Sequence, residues 1–166
     1  MSPALKILLY GYGNPGRKDD GLGIEFVNRL EKWVGQKGLK GFEFETNYQL
    51  NIEDAEIIAD KDIVIFADAS IETIEDFCVT DVISTFEVTF TTHSASPGYI
   101  LRLCNDLFGK QPKTLLVHIK GYKWNLGEGL TSLAKKNLDK ACKAFQASFL
   151  NPKSLLEPGT TGFKTC

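Results

Sequence analysis

The sequence predicts an α/β protein, in which helices cover both faces of a mostly parallel, twisted sheet as a three-layer α/β/α sandwich. Two observations support this. Apolar runs of strand length alternate with segments of helical periodicity, and several runs are apolar throughout, as in buried parallel strands. The 166 residues, 43% of them hydrophobic, suffice for one compact domain. We therefore expect a single domain over residues 1–150 and a loosely ordered tail over 151–166.

The predicted elements follow one another along the chain. Strands are expected at 5–10, 42–46, 62–68 and 114–119, with less regular extended pieces near 77–79 and 88–91. The first helix should end at Gly35, and Asn51 should cap a short second helix. Ser96, followed by proline, predicts the start of a third helix that Gly109 ends. Thr131 predicts the start of a long last helix.

Charge and cysteine content exclude several classes of protein. The net charge is -2 and no block of basic residues occurs, so nucleic acids and anionic membranes are disfavoured partners. No apolar run approaches the length of a membrane span. The four cysteines contain no C-x-x-C pair and follow no secretory signal, so we expect no disulfide framework. This pattern is typical of free thiols in the cytoplasm.

A glycine-rich loop follows the first predicted strand. Residues 11–23 read GYGNPGRKDDGLG and satisfy the dinucleotide fingerprint G-x-G-x-x-G. However, Asp19 and Asp20 would repel a pyrophosphate at the start of the next helix, and Pro15 removes one N–H donor. Dinucleotide binding is therefore a minor hypothesis. We expect the glycines to let the chain turn sharply and approach neighbouring backbone closely.

Acids and a histidine fall where a parallel sheet binds its ligands, beyond the carboxyl ends of the strands. Asp19 and Asp20 follow the first strand, Asp68 closes a central strand, and His93 precedes the third helix. Two carboxylates and an imidazole suit a divalent first-row metal ion and leave coordination positions open. The sequence therefore predicts a metal site at this edge, formed by residues far apart in the chain.

Each of these residues also has a structural interpretation. Asp19 or Asp20 can cap the first long helix, and for Asp19 we favour that role. Asp68 can accept hydrogen bonds from loop amides, and His93 can be a solvated loop residue. His118 is the only other histidine; it lies inside a predicted strand, where a hydrogen-bonded core imidazole is expected.

Four motifs resemble those of the maturation endopeptidases of nickel-iron hydrogenases. They are GYGNPGRKDDGLG after an N-terminal strand, Ala67-Asp68-Ala69 closing an apolar strand, Thr92-His93-Ser94, and Gly127-Glu128-Gly129-Leu130-Thr131 before the last helix. The resemblance covers residues 5 to about 150. It implies a phosphorylase/hydrolase-like α/β fold and an enzyme that hydrolyses a peptide bond.

The resemblance also implies roles for particular residues. Asp20, Asp68 and His93 match the family's metal-contacting residues, although some relatives carry Glu at the position of Asp20. Members of the family remove a C-terminal extension from the hydrogenase large-subunit precursor. The nickel that this precursor carries is their recognition element, and cadmium or zinc are possible surrogates. The implied protein is a cytoplasmic protease whose partner is the precursor, and we expect a monomer.

The hydrolytic mechanism is less defined by the sequence. H-E-x-x-H and G-x-S-x-G motifs are absent, and no cysteine has the setting of an activated nucleophile. Either a metal polarises the reacting groups, or Asp20 or Asp68 acts as acid–base catalyst on water. Two alternative functions remain. One is an esterase like peptidyl-tRNA hydrolase, whose G-N-P-G loop is similar to residues 13–16, and the other is a non-catalytic, metal-binding hydrogenase chaperone.

Overall fold

The computed structural model describes residues 4–85, 95–158 and 162–166. Within these ranges a five-stranded sheet is flanked by four helices. The strands are β1 (Ile7–Tyr12), β2 (Phe42–Asn47), β3 (Ile63–Ser70), β4 (Phe77–Asp81) and β5 (Lys113–Lys120), and the helices are α1 (Leu22–Lys37), α2 (Asp54–Ile58), α3 (Pro97–Phe108) and α4 (Ser132–Phe149). Short 3₁₀ turns cover Lys18–Gly21 and Pro152–Leu156.

The strand order across the sheet is β2-β1-β3-β5-β4. β1, β2, β3 and β5 run parallel, whereas β4 is antiparallel to β5. From β1 the chain first adds β2 on one side and then crosses to β3 on the other. The strand order therefore reverses between β1 and β3, and their carboxyl ends flank the crevice in which such sheets bind ligands.

The two faces of the sheet pack against different helices. Ile7 and Leu9 of β1 face α1 and α4, and Leu8 and Tyr10 face α2 and α3. Both faces are covered, which confirms the predicted α/β/α sandwich. Because side chains alternate along a strand, Tyr12 continues the Leu8 and Tyr10 row on the α2/α3 face.

Two helix boundaries differ from the predictions. α1 continues through Gly35 and ends at Lys37. The next residue, Gly38, has a left-handed φ of 66° and donates its N–H to the carbonyl of Gly35. Asn51 does not cap α2. Instead, the Asp54 carboxylate accepts the N–H of Asn51 and the hydroxyl of Tyr10, each at 2.8 Å. Buried polar groups are hydrogen-bonded in folded proteins. The two hydrogen bonds of the buried Asp54 carboxylate therefore take precedence over a local cap of α2 by Asn51.

The predicted caps of the other two helices are confirmed. Ser96 Oγ accepts the N–H of Tyr99 at 3.2 Å, and Gly109 ends α3 in a left-handed conformation. Thr131 Oγ1 accepts the N–H of Ala134 at 3.3 Å at the start of α4. The extended piece predicted near 77–79 is the antiparallel strand β4. The piece predicted near 88–91 lies outside the described residues.

The expectation of four free thiols is wrong for two of the cysteines. Cys78 in β4 and Cys166 form a disulfide, while Cys104 and Cys142 are free and buried. Next to this disulfide, the N–H of Val79 donates to the carbonyl of Lys164 at 2.8 Å. The sequence could not reveal this pairing because the partners are 88 residues apart. The domain boundary at residue 150 and the looseness of the whole tail stay predictions.

Candidate active site

Asp20 and Asp68 approach each other at the carboxyl edge of the sheet, in the crevice between β1 and β3. Asp20 lies in the 3₁₀ turn after β1, and Asp68 is the sixth residue of β3. The pKa of the Asp68 carboxyl is raised from 3.8 to about 7, first by burial and second by the negative charge of Asp20. The structure thus brings together two of the three residues that the sequence marks as candidate ligands.

Tyr12 is a third side chain of this site, and the sequence analysis missed it. Its hydroxyl forms a hydrogen bond with the Asp68 carboxylate, which lowers the pKa of Asp68 and partly opposes the effect of burial. Burial raises the pKa of Tyr12 well above its usual range, and the charge of Asp68 raises it further. Tyr12 therefore stays protonated and donates to Asp68. Strand alternation was the available signal for the sheet face of Tyr12, whereas its position beside the end of β3 depends on the strand order.

The backbone of its own loop holds the Asp20 side chain. Asp20 Oδ2 accepts the N–H of Asn14 at 2.8 Å. Asn14 in turn accepts the N–H of Gly16 through its side chain and that of Arg17 through its carbonyl. The Asp20 N–H donates to the carbonyl of Arg17 at 3.1 Å. These local turns fix the carboxylate at a loop position that would otherwise have many conformations.

The glycines of the loop allow backbone to pack against backbone. A Cβ on Gly13, whose φ is 140°, would lie 2.1 Å from the carbonyl oxygen of Asp20. A Cβ on Gly23 would lie 2.3 Å from the carbonyl oxygen of Ala67, the residue before Asp68. Only glycine fits at these two positions. As expected, the glycines serve close approach, and they bring the two acid-bearing segments together.

Asp19 does not cap α1, contrary to our expectation. The residue before α1 is Gly21, and no side chain caps that helix. The Asp19 carboxylate is buried and accepts hydrogen bonds from the backbone of Tyr122, Lys123 and Thr131. The pKa of Asp19 is lowered because these hydrogen bonds outweigh its burial. Asp19 thus joins the loop of Asp20 to the loop before α4.

The two histidines differ in what the structure shows. His93 lies outside the described residues. The described chain resumes at Ala95, whose N–H donates to the carbonyl of Leu50 in the loop after β2. His118 is half-buried in β5, its Nε2 lies 2.9 Å from Thr80 Oγ1, and burial lowers its pKa. This is the hydrogen-bonded imidazole predicted for His118.

The acid pair concentrates negative charge in the crevice. Two carboxylates that face one another repel, and a divalent cation between them would relieve this repulsion. Oxygen donors suit borderline and hard divalent ions. Within the described ranges, no group of three or more His, Cys, Asp and Glu side chains is placed to hold a metal ion. The described part of the site therefore contains two facing carboxylates.

The free cysteines do not offer an alternative nucleophile. Burial raises the pKa of Cys104, and burial raises the pKa of Cys142 to about 12. Since the thiolate is the reactive form, neither thiol is suited to nucleophilic attack at neutral pH. In the described part of the chain, no helix is both long and apolar enough to cross a membrane.

Comparison with known proteins identifies the fold. No family model and no curated protein sequence matches the chain. Among solved structures, the NiFe hydrogenase maturation protease HycI from Thermococcus kodakarensis KOD1 matches with a TM-score of 0.72 and 20% identity. The match covers 89% of this chain and 94% of that protein. The hydrogenase maturating endopeptidase HybD from E. coli matches with the same values.

A more distant match extends the same result. A hydrogenase 2 maturation peptidase from Thaumarchaeota archaeon SCGC_AB-539-E09 has a TM-score of 0.60 and 15% identity, over 86% of this chain and 97% of that one. The protein therefore has the α/β/α fold that these maturation proteases share. At these identities the matches establish the fold, and the function has to be argued from the site.

Proposed function

We propose that this chain is an endopeptidase that removes a C-terminal extension from the nickel-loaded precursor of a hydrogenase large subunit, acting as a cytoplasmic monomer. The observation that carries the proposal is the Asp20–Asp68 pair, which lies in the ligand crevice of a fold shared with HycI and HybD. The four motifs that resemble the maturation endopeptidases support the same activity.

Nickel belongs to the substrate in this proposal. Asp20, Asp68 and, by its motif, His93 bind the nickel that the precursor presents. The binding free energy of this contact is available only from a loaded precursor, so a nickel-free precursor binds more weakly and escapes cleavage. The mutual repulsion of Asp20 and Asp68 supports this role, because a cation converts that repulsion into two favourable contacts.

Asp68 acts as the general base on the attacking water. In the metal-free protein the pKa of Asp68 is raised to about 7. Nickel bound beside it lowers this pKa, so Asp68 is a charged carboxylate able to accept a proton when the loaded precursor is bound. The water oxygen attacks the scissile carbonyl carbon, and its proton passes to Asp68. Asp68 then gives this proton to the amide nitrogen as the C–N bond breaks. The Tyr12 hydroxyl holds the carboxylate in place through both transfers.

Intact-mass analysis of a large-subunit precursor tests the proposal. Wild-type protein should shorten the nickel-loaded precursor by the mass of one C-terminal segment and leave the nickel-free precursor whole. Asp68→Asn should slow cleavage by at least about 100-fold, the usual minimum for loss of an acid–base group. Asp20→Asn and His93→Ala each remove a contact to nickel and should also abolish processing. Asp54→Asn is the control: Asp54 is a buried, hydrogen-bonded carboxylate, but it lies in α2. It should cleave at the wild-type rate when folded.

The same incubation separates the alternatives. A precursor that binds but stays whole would indicate a non-catalytic, metal-binding chaperone. Release of peptide from peptidyl-tRNA, with the precursor untouched, would indicate the esterase. The net charge of -2 does not favour the esterase, because a tRNA ligand is bound largely through phosphate contacts.

A further inference from the structure

The buried carboxylate of Asp19 is joined to both ends of the loop that precedes α4. Its Oδ2 accepts the N–H of Tyr122 at 2.8 Å and the N–H of Lys123 at 3.1 Å. Its Oδ1 accepts the N–H of Thr131 at 2.8 Å, and its Oδ2 also accepts the Thr131 hydroxyl at 2.8 Å. Both oxygens of one side chain thus hold residues 122–131 in place.

Backbone contacts extend this connection along residues 16–19. The N–H of Asp19 donates to the carbonyl of Lys123, and the N–H of Lys18 donates to the carbonyl of Gly127. The N–H of Gly127 donates back to Gly16, and Arg17 Nε donates to the carbonyl of Trp124. The loop after β1 and the loop before α4 therefore form one hydrogen-bonded unit, to which Asp20 is directly attached.

Capping of the neighbouring helices does not explain the hydrogen bonds that Asp19 accepts. α1 begins without a side-chain cap, and Thr131 already caps α4. Lys18, the residue before Asp19, has φ of 49°, an uncommon conformation for a residue with a side chain. Such conformations persist where the surroundings hold them in place, and they cluster at functional sites. The Asp19 contacts supply that restraint next to Asp20.

We propose that Asp19 is a positioning residue, which fixes the backbone of Asp20 so that the Asp20 carboxylate faces Asp68. Asp19 itself touches neither nickel nor the scissile bond. Its replacement should therefore weaken cation binding and cleavage by misplacing Asp20, beyond any effect of lowered stability. The cleavage part of this inference rests on the proposed function, whereas the cation-binding part does not.

Asp19→Asn and Asp54→Asn form a matched pair for the test. Both residues are buried carboxylates that accept several hydrogen bonds, but Asp54 holds Tyr10 and Asn51. Each variant is compared with wild type by thermal unfolding, by calorimetric titration with nickel ion, and by kcat and KM for cleavage. We expect both variants to lose thermal stability, and only Asp19→Asn to lose tenfold or more in nickel affinity and in kcat.

Thr131 supplies a second test in case Asp19→Asn does not fold. Thr131→Val removes the hydroxyl that donates to Asp19, and Thr131→Ser retains it. Nickel affinity should fall in Thr131→Val and recover in Thr131→Ser.

The inference would be overturned if nickel affinity and kcat decrease only in proportion to the loss of thermal stability, and to the same extent in every variant. A wild-type protein that binds nickel ion but leaves the precursor whole would refute the proposed function only, and the titrations would still decide the role of Asp19. A wild-type protein that does neither would overturn both.

Discussion

Replacing Asp68 by asparagine should stabilise the protein at alkaline pH. The pKa of Asp68 is raised from 3.8 to about 7, by burial first and then by the charge of Asp20. Each pKa unit corresponds to about 1.4 kcal/mol, so keeping this carboxylate charged in the folded state costs up to about 4 kcal/mol. Asparagine does not ionise and avoids that cost.

The pH dependence of this effect has a definite sign. Between about pH 4 and pH 7 the folded protein retains a proton on Asp68 that the unfolded chain releases. The stabilising contribution is therefore fully present below pH 3.8 and is lost as the pH rises through about 7. Asp68→Asn should match wild type near pH 4 and exceed it at pH 8 by up to about 4 kcal/mol, or about 8–16 °C in Tm for this chain length.

Urea unfolding followed by far-UV circular dichroism at pH 4.5, 6 and 8 measures the effect. Asp54→Asn is the control, because it removes the negative charge that strengthens the hydrogen bonds from Tyr10 and Asn51, and it should not reproduce the gain in stability at pH 8. The same Asp68→Asn preparation should have lost processing activity. A difference between wild type and Asp68→Asn that does not change with pH, or an Asp68→Asn protein that is less stable at pH 8, would refute the reasoning.

Three further predictions concern backbone packing at Gly23, the hydrogen bond of Tyr12 and the disulfide. Gly23→Ala should destabilise the protein by about 3 kcal/mol or more in urea unfolding, because its Cβ would collide with the carbonyl of Ala67. Gly35→Ala is the control: its Cβ would lie in open space, so the variant should be more stable than wild type by about 0.5–1 kcal/mol. Tyr12→Phe should move the pH profile of kcat/KM for cleavage to higher pH, because kcat/KM reports the free enzyme, in which the Tyr12 hydrogen bond lowers the pKa of Asp68. Reducing the disulfide should lower Tm by about 10 °C, since it closes a loop of 88 residues; an unchanged Tm would contradict the pairing.

Local patterns made most of the fold predictable. β1 and β3 are buried on both faces over their first five residues, so their sequences are largely apolar and stand out from the rest of the chain. The starts of α3 and α4 were predictable because Ser96 and Thr131 bond to residues three positions ahead. Because the bonded residues are only three positions apart, the local sequence is enough to predict these contacts.

Contacts between distant segments account for what the sequence did not reveal. Asp19 reads as a helix cap locally, yet its partners Tyr122 and Thr131 lie 103 and 112 residues away. Tyr12 becomes part of the site because β1 and β3 are neighbours, which depends on strand order. Gly35 reads as a helix end, but α1 packs against the core through Val34 and continues to Lys37.

A crystal of the protein soaked with nickel ion, measured at the nickel absorption edge, tests the central claim most directly. The account predicts an anomalous peak between Asp20 and Asp68, about 2.1 Å from a carboxylate oxygen of each, the distance typical of carboxylate bonds to a comparable divalent ion. The peak should be absent from Asp20→Asn crystals. A nickel peak at His118, with none between the two carboxylates, would contradict the account.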